Sequence, residues 1–183
     1  MRVIAGSYKG RSLKPPTWEG LRPTSDRLRE TLFNVLAPRV PGARVLDLFA
    51  GTGAVGIEAL SRGAASVTFV DDDRRAAALI EENLKRCGIS GGYAIIRASA
   101  SRTVERFRHG PPFVPFDIIL LDPPYDHPAA QALTGVDTLV APDGVVVLEH
   151  ARRSASPEVE GQLVRARTLL SGDSALAFYA CRP

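Results

Sequence analysis

Asp122-Pro123-Pro124-Tyr125 combines residue types that could do chemistry. It follows Ile118-Ile119-Leu120-Leu121, an apolar run that fits a parallel strand covered on both faces. A carboxylate and two prolines at a strand end place two hydrogen-bond acceptors in a rigid frame. Asp122 offers its carboxylate and Pro123 its carbonyl, and the prolines have a fixed φ and no competing N–H. Tyr125 offers a ring on which a flat group can stack. Two acceptors around an aromatic or amide NH2 make its nitrogen more tetrahedral and free its lone pair. Attack on an electrophilic carbon then needs only in-line positioning, with no metal and no covalent intermediate. Read without that chemistry, the same residues are a strand stop and a rigid turn. Prolines or tyrosine alone would favour that plainer account.

The second set is Arg44-Val45-Leu46-Asp47-Leu48-Phe49-Ala50-Gly51-Thr52-Gly53-Ala54-Val55-Gly56. It reads as a buried strand, a glycine-rich turn and the start of a helix. Gly51-x-Gly53-x-x-Gly56, with Asp71 twenty residues after Gly51, matches the dinucleotide fingerprint literally. Asp47 argues for a different ligand. A buried carboxylate four positions before the first glycine is costly unless paired, and a pyrophosphate has no use for it. A cofactor with a free ammonium group does. Asp47-x-Phe49-x-Gly51-x-Gly53 resembles the first motif of S-adenosylmethionine (SAM) dependent methyltransferases. That resemblance implies SAM as cofactor, held by Asp47, Phe49, Ala50, Gly51, Thr52 and Gly53, with Asp71 at the ribose diol and Asp72 beside it. Asp122-Pro123-Pro124-Tyr125 resembles the fourth motif of the amino methyltransferases, and all four residues are its expected catalytic group.

These residues need a scaffold that brings strand ends together. Apolar runs predict parallel strands near 45–49, 66–70, 93–96, 116–121 and 144–149. Between them, 3.6-residue periodicity predicts helices from Gly56 to a stop at Gly63, over 74–87, near 101–107 and over 128–139. Asp73 is expected to cap the second of these and Gly88 to end it. Residues 163–170 and 175–181 around Ser171-Gly172-Asp173 read as an antiparallel hairpin. The sum is an α/β, doubly wound, mostly parallel seven-stranded sheet of the Rossmann-like methyltransferase type. It carries an antiparallel C-terminal hairpin and a small basic N-terminal extension. Ligands in such sheets sit at the carboxyl ends of the strands, where Asp47, Asp71 and Asp122 all fall.

The extension holds the charge asymmetry. Residues 1–46 carry nine Lys or Arg against three acids, a net of +6, while the whole chain is only +3. A basic segment on a slightly acidic body suits a polyanion. Arg2-Val3-Ile4 and Ser12-Leu13 flank Gly6-Ser7-Tyr8-Lys9-Gly10-Arg11, a candidate hairpin with basic residues around one aromatic ring. Lys9, Arg11, Arg22, Thr24 and Arg27 are the expected substrate contacts. Thr24, Ser25 and Asp26 are all candidate caps for a helix whose apolar face is Leu28, Leu32, Val35 and Leu36. Arg27, Arg29, Glu30 and Asn34 fall elsewhere on its wheel, and Pro38 stops it. The expected division is residues 1–38 as a basic hairpin and helix that meets a polyanion, and 39–183 as the methyltransferase domain. Cys87 and Cys181 lack metal spacing and read as reduced thiols. No apolar run approaches a membrane span and no signal peptide opens the chain, so a cytoplasmic protein is expected.

One family gathers these features. Leu21-Arg22-Pro23-Thr24-Ser25-Asp26-Arg27-Leu28-Arg29-Glu30-Thr31-Leu32-Phe33-Asn34 closely resembles a signature of the RsmD family. The opening Arg2-Val3-Ile4-Ala5-Gly6 with Gly10-Arg11, the Asp47–Ala54 loop, Glu58-Ala59-Leu60-Ser61-Arg62-Gly63-Ala64 and Asp122-Pro123-Pro124-Tyr125 also resemble it. The resemblance implies methylation of N2 of one guanine in 16S ribosomal RNA, with the RNA held inside a small-subunit particle. It further implies a monomer that needs neither membrane nor metal. One departure stands out. Many related enzymes have an acid after the third strand for the adenine amino group, whereas this chain has Arg97-Ala98-Ser99-Ala100, leaving Ser99 or the main chain for that contact. The competing readings are a DNA adenine-N6 or cytosine-N4 methyltransferase and, more remotely, an NAD-dependent oxidoreductase.

Overall fold

A computed structural model describes residues 1–18, 24–124 and 126–182. Arg22 and Tyr125 therefore lie outside the described residues. An N-terminal arm with a single antiparallel bridge, Arg2 to Ser12, leads to helix α1 (Asp26–Leu36). Then follow β1 (Arg44–Asp47), α2 (Ala54–Ser61), β2 (Ser66–Asp71), α3 (Arg74–Arg86), β3 (Tyr93–Arg97), α4 (Ala100–His109) and β4 (Phe116–Leu121). The chain continues through α5 (Ala129–Leu133), a 3-10 turn (Val136–Thr138), β5 (Val140–Ala151), β6 (Val159–Glu160), β7 (Leu163–Ser171) and β8 (Ser174–Cys181).

The strands form one sheet in the order β3-β2-β1-β4-β5-β8-β7-β6. β1 to β5 pair in parallel, and β8, β7 and β6 add on antiparallel. The sequence predicts seven strands. The eighth is the two-residue β6 on the outer edge, too short to leave a periodic signal. Order reverses between β1 and β4, so the switch point lies between Asp47 and Asp122. Apolar clusters cover both faces. Leu28, Leu32, Phe33 and Leu36 of α1 join Ile57, Phe69, Ile80 and Leu84 on one side. Val104, Leu133, Val136 and Leu139 pack on Leu46, Ile119, Val146 and Leu148 on the other. Each large apolar side chain so buried contributes roughly 1.5–3 kcal/mol.

Three local departures have physical causes. The helix expected over 128–139 stops at Leu133, because Gly135 adopts φ 74° and the chain re-enters as the 3-10 turn. Arg29, expected on the polar face of α1, is fully buried. Its guanidinium bonds the Arg2 carbonyl at 2.8 Å and Asp26 at 2.6 Å, and lies 3.7 Å from Glu58. The N-terminal arm is likewise part of the core, with Val3 and Leu13 buried in the cluster that holds α1 and α2. Glu58 of α2, itself fully buried, accepts the N–H groups of Ile4 (2.8 Å) and Ala5 (3.0 Å) and pairs with Arg62 at 2.7 Å. A Cβ on Gly6 would lie 1.8 Å from the Ser61 carbonyl, so only glycine allows this approach.

Ser25 is the cap of α1, accepting from the Leu28 N–H, and Asp73 caps α3. Trp18 lies under the Arg75 guanidinium, 4.9 Å from its ring. Cys87 is buried, Cys181 is partly exposed, and neither is bonded to the other. His109 is exposed and meets Glu105. Among the described residues, no helix is long and apolar enough to cross a membrane.

Candidate active site

Parallel pairing puts the three acids side by side. Asp47 ends β1, Asp71 ends β2, and Asp122 follows β4, with β1 flanked by β2 and β4. The chain leaves β1 held to both neighbours, through Leu48 N–H to Leu120 (3.0 Å) and Ala50 N–H to Val70 (3.0 Å). It then tightens into a turn in which the Gly53 N–H reaches the Ala50 carbonyl at 2.7 Å. Gly56 brings α2 hard against the sheet. A Cβ there would meet the Phe69 ring at 2.2 Å. That contact fixes where the amino end of α2 points, which is the third glycine's part in the fingerprint.

The result is a cleft of about 1120 Å³ across the switch point. Phe49, Ala50, Gly51, Thr52, Asp71, Asp72 and Ser99 line it on the β2–β3 side. Thr24, Arg27, Asp122, Pro123 and Pro124 line it on the β4 side, with Asp47 at the centre. Gly53 shapes the turn without lining the cleft. Ser99 caps α4, accepting from the Arg102 N–H at 3.3 Å.

The acids differ in how they are held. Asp71 accepts the Gly51 N–H at 2.8 Å and the Asp73 N–H at 3.0 Å, so each oxygen has one backbone donor and further acceptor capacity. Burial nonetheless raises its pKa. Asp47 is only 3% exposed and accepts the Gly56 N–H at 3.2 Å. Burial first, then the Asp122 charge, push its pKa up to about 7, against the lowering pull of the Gly56 N–H. Asp122 is partly open to the cleft and accepts the Thr24 hydroxyl at 3.0 Å. Burial among protein atoms pushes its pKa up to about 6, with the Thr24 hydroxyl pulling it down. Two adjacent carboxylates without a paired cation among the described residues leave negative potential at the centre of the cleft. A ligand ammonium answers that need, and a pyrophosphate would worsen it. The donor set therefore fits SAM.

The remaining expected contacts scatter. Lys9 and Arg11 are exposed and do not line the cleft. Their hairpin tip is tied to the end of α2, where the Ser7 N–H meets the Ser61 carbonyl, and Arg11 approaches Gly88 just beyond α3. Those helix ends lie at the amino edge of the parallel strands, away from the cleft. Three lining groups were not anticipated. His127 packs on Phe49 with ring centroids 5.7 Å apart. Glu149 lies at the end of β5 and accepts the Ser174 hydroxyl at 3.0 Å. Ser171, Gly172 and Asp173, the tip of the β7–β8 hairpin, form a wall of the cleft, although that tail carries no diagnostic motif.

Comparison with known proteins agrees with this architecture. The family model described as "Conserved hypothetical protein 95" matches residues 1–180. YlbH of Bacillus subtilis (strain 168) is 40% identical over 100% of both chains. Ribosomal RNA small subunit methyltransferase D of Escherichia coli (strain K12) is 32% identical over 98% of this chain and 89% of its own. Among solved structures, one from Escherichia coli superposes with a TM-score of 0.84 at 32% identity, covering 100% of this chain and 98% of the other. A hypothetical protein of Thermus thermophilus gives 0.83 at 30% identity, covering 98% and 99%. The chain belongs to the RsmD family, that of ribosomal RNA small subunit methyltransferase D.

Proposed function

We propose that the protein transfers a methyl group from SAM to the exocyclic N2 of a guanine in 16S ribosomal RNA. The observation that carries this reading is the meeting of Asp47, Asp71 and Asp122 at adjacent strand ends in one cleft, with raised pKa values and no paired protein cation among the described residues. Asp47 would hold the ammonium and Asp71 the ribose diol. Phe49, Ala50, Gly51, Thr52, Asp72 and Ser99 would surround the remainder, with Gly53 setting the turn. When bound, SAM supplies an electrophilic methyl group.

The chain's own residues prepare the nucleophile. Asp122 is ionised at neutral pH, and the Thr24 hydroxyl fixes one of its oxygens. Its carboxylate and the Pro123 carbonyl accept from the guanine NH2 and localise its lone pair. Pro124 holds that carbonyl rigid. The methylated nitrogen is acidic, so Asp122 can take its proton without being a strong base. Tyr125 is the proposed stacking ring for the base. Arg22, Thr24 and Arg27 are further proposed RNA contacts, with Lys9 and Arg11 reached by an RNA long enough to pass the arm. On this reading residues 1–38 are the RNA-holding part and 39–183 the transfer domain. It also implies a cytoplasmic monomer that uses no metal, because the ribosomal substrate is there and direct displacement needs none.

The test is transfer of labelled methyl from SAM to small subunits lacking this modification, with free ribosomal RNA and DNA in parallel. Label recovered as N2-methylguanine, and lost in Asp122→Ala, is expected. Label on DNA would overturn the assignment of substrate.

A further inference from the structure

Asn83 lies on the buried face of α3 with Ile80 and Leu84, fully shielded from solvent. An aliphatic side chain like those neighbours would bury there without a polar group to satisfy, and asparagine is a poorer helix former than leucine. The amide is nonetheless fully engaged. Nδ2 donates to the Thr52 carbonyl at 3.0 Å and to the Lys14 carbonyl at 3.2 Å, and Oδ1 accepts the Lys14 N–H at 2.7 Å. Two carbonyls on one side and an N–H on the other leave the amide only this orientation.

Its partners belong to two different parts of the molecule. Thr52 sits between Gly51 and Gly53 in the turn that lines the cleft. Lys14 belongs to the N-terminal arm and does not line the cleft. The Lys14 ammonium also pairs with Glu82 at 2.8 Å, so α3 grips the arm through two successive residues. The turn depends on such outside supports. Gly53 caps α2 at φ 76° and has no side chain to bond the free N–H groups of that helix. The Thr52 hydroxyl accepts one of them, the Ala54 N–H at 3.3 Å, and donates to the Met1 sulfur 3.8 Å away, a second link to the arm. A glycine-rich turn has many accessible shapes, and holding one of them before the ligand arrives lowers the cost of binding. Asn83 is sealed behind the turn, so it reaches a ligand only through Thr52.

We propose that Asn83 is a positioning residue for SAM. It acts through the Thr52 carbonyl, fixing the glycine turn in its ligand-binding shape. Through Lys14 it makes the N-terminal arm the brace of that turn. Occupation of the cleft and order in the arm are then linked in both directions. The inference rests on the cleft being the SAM site, and not on which nucleotide accepts the methyl group.

Calorimetry with SAM and amide hydrogen exchange on the full chain test it without RNA. Asn83→Leu removes every hydrogen bond of the amide. Asn83→Asp keeps an acceptor for the Lys14 N–H and removes the donor to Thr52. Leu84→Ala, which opens a cavity one residue along the same helix, is the destabilised control. The Kd for SAM should rise roughly tenfold in both Asn83 variants and stay within about twofold of the parent in Leu84→Ala. In steady-state transfer to unmodified small subunits the rise should fall on the KM for SAM, with kcat and the KM for the subunit within about twofold. In the parent, SAM should slow exchange of the Lys14 N–H about fivefold, and that slowing should vanish in Asn83→Asp although the acceptor remains. An unchanged Kd in both Asn83 variants overturns the proposal. So does a rise that Leu84→Ala reproduces, since lost stability alone would then weaken SAM. If Asn83→Leu does not fold, Asn83→Asp decides alone. SAM binding that leaves Lys14 exchange unchanged in the parent overturns the arm's part. Failure of transfer to ribosomal RNA, with the pattern of Kd values intact, would overturn the proposed substrate and still uphold Asn83.

Discussion

Glu58 on α2 and the Asp47–Asp122 pair at the ends of β1 and β4 are all buried acids, and the fold treats them in opposite ways. Glu58 has both oxygens filled by Ile4 and Ala5 N–H groups, and two guanidiniums, from Arg29 and Arg62, approach it. Its charge is neutralised by the protein and welds the arm and α1 to α2. Asp47 and Asp122 are neighbours served by uncharged donors alone, the Thr24 hydroxyl and the Gly56 and Phe49 N–H groups, and their pKa values climb to about 7 and about 6. Their charge is left for a ligand to neutralise. The lesson is that an acid's burial does not reveal its role. What matters is whether its countercharge is supplied by the chain.

Substitutions should separate the two. Glu58→Gln strips the charge from a buried network and takes a countercharge from Arg29, so it should cost about 3–5 kcal/mol by chemical denaturation, while any protein that remains folded binds SAM normally. Asp122→Asn should slow single-turnover transfer by roughly 10²–10³-fold, with thermal stability unchanged or improved. Asp47→Asn should weaken SAM by about 2–3 kcal/mol in calorimetry and leave the free protein at least as stable. The comparison breaks if Asp47→Asn destabilises the free protein more than Glu58→Gln does.

The smallest effect is in pH. The folded pKa of Asp47 is above its ordinary value of 3.8. The free protein therefore loses this group's contribution as pH rises toward 7, because the folded state must release a proton it holds tightly. A bound ammonium reverses the preference and favours the carboxylate. SAM affinity should consequently rise roughly tenfold between pH 5.5 and 7.5, and Asp47→Asn should flatten that slope. A slope that survives the substitution would shift the effect to Asp71 or to the ligand.

The acids were legible in the sequence because a carboxylate inside an apolar run violates local pattern, and strand ends in a doubly wound sheet fall together. Arg29 was not. Helical periodicity assigns an arginine to the outside, and its partner Glu58 lies on another helix, 29 positions away. The break at Gly135 was masked by apolar spacing that a helix and a 3-10 turn both satisfy. Lys9 and Arg11 were expected at the substrate from their charge and the Tyr8 ring between them, and main-chain bonds to Ser61, which no local pattern contains, decide where their hairpin sits. His127 and the β7–β8 tip reach the cleft only through sheet order, which no local window contains.

That tip has a consequence of its own. Gly172 at φ 61° has open space around it, and the hairpin hangs from the antiparallel side of the sheet, apart from the strands that place Asp47, Asp71 and Asp122. Insertions or exchanges there can reshape one side of the cleft while the parallel framework keeps its register. The protein thus separates a fixed chemical engine from a replaceable faceplate. Changing targets by descent or by grafting hairpins would begin at Ser171–Asp173.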